Sequence, residues 1–236
     1  MLVCVFLPTP DAAGFSYPNN PVDRPITLPE GMAELGVDVN IDLLVPPSSS
    51  SSQNATTTQQ RQVFLFRFGL HDDLELLLLG LKYARTVDRI GDHEVAIRAR
   101  MLNSGENVKG DVIWNSDAAI EGKLKLNDWL AFAYQAENYH TFNPAINDRD
   151  VIGGTMSAVV NVFKHLSFSG GGSYQSLTNY SAQSAGYFNL QILVNTKKVD
   201  FALEGVWANG LGYVNMSDMT TPAGTQTYGA MLYLRF

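Results

Sequence analysis

Residues 33–44 alternate in character with a period of two. Leu35, Val37, Val39, Ile41 and Leu43 fall on one face, and Glu34, Asp38, Asn40 and Asp42 on the other. A helix would scatter both sets around its circumference, whereas an extended strand separates them cleanly. The same pattern recurs down the chain. Phe64, Phe66, Phe68 and Leu70 alternate against Arg67. Leu77, Leu79, Leu81 and Tyr83 alternate against Lys82. Val95, Ile97, Ala99 and Met101 oppose Glu94, Arg98 and Arg100, and Val108, Val112 and Trp114 oppose Lys109 and Asp111. Ile120, Leu124 and Leu126 oppose Glu121, Lys123 and Lys125, while Leu130, Phe132 and Tyr134 oppose Gln135 and Glu137. Residues 152–162, 166–173, 188–194, 199–207 and 228–236 continue the series, with Asp200 and Glu204 on the polar side of the penultimate stretch. These are about twelve strands of roughly ten residues, the length a tilted strand needs to cross a bilayer. Each has one face free of charge.

Composition narrows the alternatives. Only 17% of the 236 residues are charged, against about 25% in ordinary soluble domains. The mean hydropathy is −0.04. The longest charge-free, apolar-rich stretch, 151–163, has 13 residues, short of the roughly 18 of a membrane helix. The lone Cys4 excludes a disulfide framework. A net charge of −7 and the lack of a Lys/Arg cluster argue against nucleic acid as a partner. A soluble sandwich or lipocalin also alternates, but its polar face meets water. Here the polar faces are rich in Ser, Gly, Asn and Gln. Trp114, Trp129, Tyr134, Tyr139, Trp207, Tyr228 and Tyr233 fall near strand ends, as interfacial aromatic girdles do. The expected fold is therefore all-β, a transmembrane up-and-down antiparallel barrel of about twelve strands.

Connections support this. Those at 46–61, 87–92, 115–118, 139–150, 177–183 and 209–225 are generally longer. Those at 71–73, 103–107, 127–128, 164–165 and 196–198 are short. Outer-membrane barrels pair long outer loops with short periplasmic turns in this way. The 46–60 stretch contains five consecutive serines and reads as low-complexity.

The chain ends Tyr228-Gly-Ala-Met-Leu-Tyr-Leu-Arg-Phe236. A terminal Phe236 preceded at every second position by Leu234, Leu232, Ala230 and Tyr228 resembles the sorting signal of Gram-negative outer-membrane β-barrel proteins of the porin-like and transporter class. Residues 69–76, Gly-Leu-His-Asp-Asp-Leu-Glu-Leu, and 24–31, Arg-Pro-Ile-Thr-Leu-Pro-Glu-Gly, are similar to a turn and a pre-strand segment of many uncharacterised proteobacterial barrels. The resemblance covers residues 32–236. It implies location in the outer membrane of a Gram-negative bacterium, with outer-membrane lipid and the barrel assembly machinery as partners. Upstream, 1–14 reads as a signal-peptide remnant: an apolar run, then Ala12-Ala13-Gly14. Residues 15–31, with Pro18, Pro21, Pro25 and Pro29, read as a periplasmic leader that excludes helix or central strand and is able to enter the lumen.

Inward charges are expected to segregate. Glu34, Asp38, Asp42, Asp200 and Glu204 form an acidic arc across the seam of first and last strands. Arg67, Lys82, Arg98, Arg100, Lys109, Lys123 and Lys125 form a largely basic arc diluted by Glu94, Asp111 and Glu121, and Glu137 is also pore-lining. Opposed arcs set up a transverse field that selects polar solutes; the alternative is that these charges pair across or along the wall and close the lumen. Val63, Leu65, Leu76 and Leu78 are expected inward, leaving room for an apolar ligand or the leader. The expected function is a passive channel for small polar solutes. The alternatives are a closed structural or adhesive barrel with partner-binding loops, and a transporter of hydrophobic compounds. No enzyme activity, cofactor or metal is expected. His71 and His165 fall in turns and His93 opens a strand without a nucleophile. His140, in a loop with Asn147, Asp148 and Asp150, is the weak exception for hydrolytic or divalent-cation chemistry.

Overall fold

The computed structural model describes residues 17–44, 57–86, 92–106, 112–142, 149–177, 183–209 and 225–236. They form a closed antiparallel barrel of twelve strands in which each strand pairs with its sequence neighbours and the first with the last. The strands are β1 (Ala33–Leu44), β2 (Thr57–His71), β3 (Leu74–Leu77), β4 (Gly80–Thr86), β5 (His93–Glu106) and β6 (Val112–Asn127). They continue with β7 (Leu130–Phe142), β8 (Arg149–Phe163), β9 (Leu166–Leu177), β10 (Gln183–Asn195), β11 (Val199–Asn209) and β12 (Thr225–Arg235). No described helix is long and apolar enough to cross a membrane. Twelve strands spaced about 4.8 Å apart and tilted about 40° give a backbone radius of roughly 12 Å. The longer strands, 12 to 16 residues in β1, β2, β5, β6 and β8, rise about 30 Å or more at that tilt.

The barrel is inside-out relative to a soluble one. Ile97, Ile120, Ile152, Met156 and Leu203 point outward, and Phe64 is 66% exposed. The buried apolar side chains among the described residues are few: Tyr17, Val22, Leu28, Leu77 and five alanines. A core that small cannot hold a water-soluble sheet together, so the outward belt needs an apolar solvent. Phe188, Trp207 and Tyr228 make an aromatic cluster on the outer face, the first two stacked at 6.1 Å and the last pair edge-on at 6.4 Å. Tyr139 and Tyr233, expected in the girdle, instead fall on the inward phase of β7 and β12. Tyr233 lies against Gly36 inside the wall, where an added Cβ would come within 2.8 Å of the ring.

The twelve strands are not the twelve expected from the sequence. Of the expected strands at 108–114 and 120–126, residues 112–114 and 120–126 belong to one strand, β6, and residues 108–111 lie outside the described set. The Asn-Ser-Asp-Ala stretch at 115–118 looks like a turn, but Asp117 points inward and is held by Arg98 and Arg100. The expected strand at 77–83 is two, because the chain reverses at Leu78 and Leu79 between Leu77 and Gly80. Nothing in a run of leucines signals that turn. The reversal also flips the phase: Glu75 and Leu77 face inward while Leu76 and Leu78 are exposed, opposite to expectation. The two errors cancel in the count but exchange the ends of two connections. β4 ends and β5 begins at the end that carries the short turns, and β5 ends at the other.

At the turn end, the terminal backbone closes the seam: Phe236 N–H donates to Ala33 O at 2.9 Å and Ala33 N–H to Phe236 O at 3.1 Å. Tyr228, Ala230, Leu232 and Leu234 face outward on β12, with Phe236 exposed at its edge. Residues 17–32 turn into this end of the barrel. Gly31 N–H donates to Gly69 O at 2.8 Å, and Gly69 N–H to Met32 O at 2.9 Å. Gly69 allows the approach, since a Cβ there would lie 2.0 Å from Pro29 O. Gly69→Ala is therefore expected to lower stability by about 2 kcal/mol and to expose the Glu30–Gly31 peptide bond, read by denaturant unfolding and by cleavage after Glu30 with a glutamate-specific protease.

Candidate functional site

The interior at the turn end is built from charges that alternate strand by strand. Glu34 on β1 has Arg235 of β12 in register on one side and Arg67 of β2 on the other. Its carboxylate is 2.6 Å from Arg235 Nε and 3.0 Å from Arg67 Nη1. Arg67 also donates from Nε to Glu75 of β3 at 2.6 Å, and Glu75 is in register with Lys82 of β4. In the other direction Arg235 contacts Asp200 of β11. From β11 to β4 the wall therefore reads acid, base, acid, base, acid, base, each ion held by a neighbour of opposite sign. A second network continues it. Lys82 Nζ is 2.7 Å from Glu121 of β6. Arg98 of β5 contacts Glu121, Asp117 and Glu137, and Arg100 is 2.6 Å from Asp117.

This replaces the expected arcs. Glu34, Arg67, Lys82, Arg98, Arg100, Glu121, Glu137 and Asp200 do face the interior, but they are interleaved rather than segregated. The interleaving ions were missing from the sequence reading: Glu75 was hidden by the leucine run, Asp117 by the assumed loop. Arg235 was legible from its alternation with Leu234 and Phe236. Asp38 accepts from Asn40 at 2.9 Å, with Glu204 nearby. Asp42 lies in β1. Lys109 and Asp111 lie outside the described residues, as do residues 1–16, including the expected signal remnant.

Residues 17–32 sit on this ring. Arg24 reaches into it, its Nη2 2.9 Å from Asp200 Oδ1 and its Nη1 on the other carboxylate oxygen. Its Nε donates to Pro18 O at 3.0 Å, which folds the segment on itself. The Tyr17 ring lies against two guanidiniums, 5.2 Å from Arg24 and 5.0 Å from Arg235, a double cation–π contact. Backbone N–H groups of Ile26 and Leu28 donate to Glu94 at 2.8 Å and Glu75 at 2.9 Å. Prolines at 18, 21, 25 and 29 leave the segment fewer backbone donors, and the wall carboxylates satisfy two of those that remain, Ile26 and Leu28. Lys123, expected to line a pore, donates to Arg24 O. Lys125 is 2.7 Å from Asp23, and Asn20 donates to Asp128 O at 3.0 Å. The segment thus spans the end of the barrel from β2 to β11.

Above it lies a cavity of about 380 Å³ whose lining includes Tyr17, Arg24, Leu65, Arg67, Lys82 and Tyr233. On its far side β8, β9 and β10 present mostly small or neutral polar groups inward, Gly153, Ser157, Ser169, Gly171, Asn189 and Gln191, with the apolar Val159 and Leu193 among them. The interior therefore has one self-neutralised charged wall and one wall of small neutral groups. Burial pushes the Tyr17 hydroxyl above its ordinary 10.0, only partly offset by Arg235 and Arg24.

The histidines stand apart from this interior. His93 Nε2 is 2.8 Å from Tyr134 Oη, and His140 Nδ1 is 2.6 Å from Asp150 Oδ1; both pairs face outward. His140 is in β7 and Asp150 in β8, directly opposite each other, rather than in a loop, because the ladder runs on to Thr141 and Arg149. Asn147 and Asp148 lie outside the described residues. Among the described residues no group of three or more potential ligands could hold a metal ion.

No family model matches the chain, and no curated protein does. Solved structures do. The NanC porin superposes with a TM-score of 0.51 at 8% identity, over 86% of this chain and 98% of that one. The outer-membrane expressed OmpT of Vibrio cholerae gives 0.44 at 12% identity, over 87% and 97%. The TodX monoaromatic hydrocarbon channel, as a ΔS2S3 mutant, gives 0.46 at 8%, over 88% and 91%. The likeness to the porin shows the fold: a closed antiparallel barrel of the outer-membrane type.

Two outcomes follow from the segment's anchoring. Asp200→Asn leaves two buried guanidiniums short of their shared carboxylate, a loss of about 3–5 kcal/mol, and is expected to free residues 17–32 while the barrel stays folded. Cleavage of the Val22–Asp23 bond by an Asp-N protease, with gel mobility of the unheated barrel unchanged, checks it. Tyr17 is raised when folded, so its stabilisation is present below the unfolded value and fades as pH rises through the folded one. The difference between tyrosine titrations of wild type and Tyr17→Phe should have its midpoint above 10.0.

Proposed function

We propose that this protein is an outer-membrane channel for small polar solutes whose periplasmic mouth is occupied, at rest, by its own residues 17–32. The outward apolar belt supports the membrane placement, and the porin-like fold supports the outer membrane of a Gram-negative bacterium. The turn end is then periplasmic and the loop end external. The observation that carries the channel reading is the two-walled interior. Charges on one side are already paired, so they do not need solute to neutralise them. The small neutral wall of β8 to β10 leaves room beside them for water and polar solutes.

The charged side then acts less as a selective field than as the seat of the segment. Conduction depends on Arg24 leaving Asp200, a rearrangement confined to the mouth. The closed-barrel alternative is favoured by the same occupancy, and one experiment separates the two. In planar bilayers the intact protein is expected to show low or intermittent conductance, and Asp200→Asn steady single-channel steps of higher open probability. If neither the intact protein, nor Asp200→Asn, nor a variant lacking residues 17–31 conducts, the barrel is closed and the channel reading fails.

A further inference from the structure

The wall is not equally tall all round. β3 and β4 have 4 and 7 residues, a rise of only about 10 and 18 Å at the barrel's tilt. Their hairpin tops out at Leu78 and Leu79, level with Arg67 of β2 and Arg100 of β5. Above it β2 runs on to Thr57 paired only with β1, and β5 runs on to Glu106 paired only with β6. Among the described residues no pairing joins β2 to β5. At the hairpin tip the two are separated by three strand spacings, about 14 Å.

The edges of this slot are polar and stand at the height of the apolar belt. Phe66 O accepts from Leu78 N–H at 3.1 Å, and Met101 N–H donates to Leu79 O at 2.9 Å. By the alternation of an antiparallel ladder, Phe64, Gln62, Gln60 and Thr58 turn their N–H and C=O groups to the same open edge. None has a backbone partner there among the described residues. Their partners in register on β1 are Val37, Val39, Ile41 and Leu43, the outward apolar stripe. Unpaired strand edges at membrane depth are tolerated only where they line water or protein. A second copy in the same membrane is a poor fit: rotation about the membrane normal keeps both β2 strands running the same way and crosses their tilts.

The sill of the slot is greasy. Leu78 and Leu79 are 49% and 57% exposed, where a hairpin turn ordinarily carries Gly, Asn or Asp. Leu79 holds φ at +58°, a conformation that costs a non-glycine residue about 1–2 kcal/mol and is worth reading for function. Just inside stand Leu65 and the buried Leu77. An aliphatic path therefore crosses the wall between unpaired backbone edges, from the outward belt to the cavity.

We propose that this slot is a lateral port for an amphiphile, its apolar body crossing the leucine sill and its polar head in the watered gap. Substrates of this kind would pass between the barrel interior and the surrounding membrane without passing residues 17–32. The proposal rests on the membrane placement above but not on axial conduction. In a Cys4→Ser background, single cysteines are placed at Leu65 (inside, beside the slot), Ser169 (inside, on β9) and Ile152 (outward), and the full chain is reconstituted in phosphatidylcholine vesicles. N-dodecylmaleimide in the bilayer is expected to label Ile152→Cys readily, and Leu65→Cys about tenfold faster than Ser169→Cys, because a continuous wall bars lipid-borne reagents. Adding Leu78→Arg and Leu79→Arg is expected to remove that advantage. Equal rates at Leu65→Cys and Ser169→Cys, with Ile152→Cys labelled, overturn the port and leave the membrane placement standing. No labelling at Ile152→Cys overturns both.

Discussion

The turn end of this barrel depends on one chain of ion pairs, Arg24–Asp200–Arg235–Glu34–Arg67–Glu75. Five of the six groups belong to consecutive strands from β11 to β3, and the sixth to the segment that fills the mouth. Burying any one of them alone would cost several kcal/mol. Alternating their sign around the wall lets each be buried against two neighbours, so the ring is neutral without solvent. The same ring ties the β1–β12 seam, where the barrel closes, to the segment. Loss of Asp200 therefore acts at the mouth and the seam together.

Much of the fold was legible because a strand in this setting obeys one rule: no charge on the face that meets lipid. That rule locates β1, β2, β5 and β7 to β12, and the inward direction of Arg67, Arg98, Glu121 and Asp200. It fails where both phases are equally apolar. Across Leu76, Leu77, Leu78 and Leu79 no charge selects a phase, and the turn hides. Only Glu75, which must be inward, fixes the phase of β3. The rule also misleads where polar residues sit inside a strand: Asn115 to Ala118 read as a loop because the partners of Asp117, Arg98 and Arg100, come from the preceding strand and are invisible in local sequence.

The seating of residues 17–32 was legible only in part. Four prolines exclude regular structure, which leaves an extended segment, and the adjacent barrel offers somewhere for it to go. What the sequence does not contain is the match between its few backbone donors and the particular carboxylates of Glu94 and Glu75, or the placing of Tyr17 against two guanidiniums. Those depend on register across the closed sheet. Gly69, near the turn end of β2, is where the segment comes closest, and the approach is that of Leu28 and Pro29.

The two unusual parts of the molecule constrain each other. The segment blocks the axial way out at the turn end, and the short β3–β4 hairpin removes wall on one side above it. A hairpin that ended in a polar turn would place hydrogen-bonding groups in the apolar belt; one that continued upward would close the wall. Leu78 and Leu79 do neither, at the expense of a left-handed leucine. Below the sill the wall is charged and tied to the segment through Arg67 and Glu75; above it the wall is open and bordered by Gln60 and Gln62. The height at which the hairpin stops thus divides the interior into a sealed floor and a side-connected upper chamber, and Arg67, in register with Leu77, marks the boundary between them.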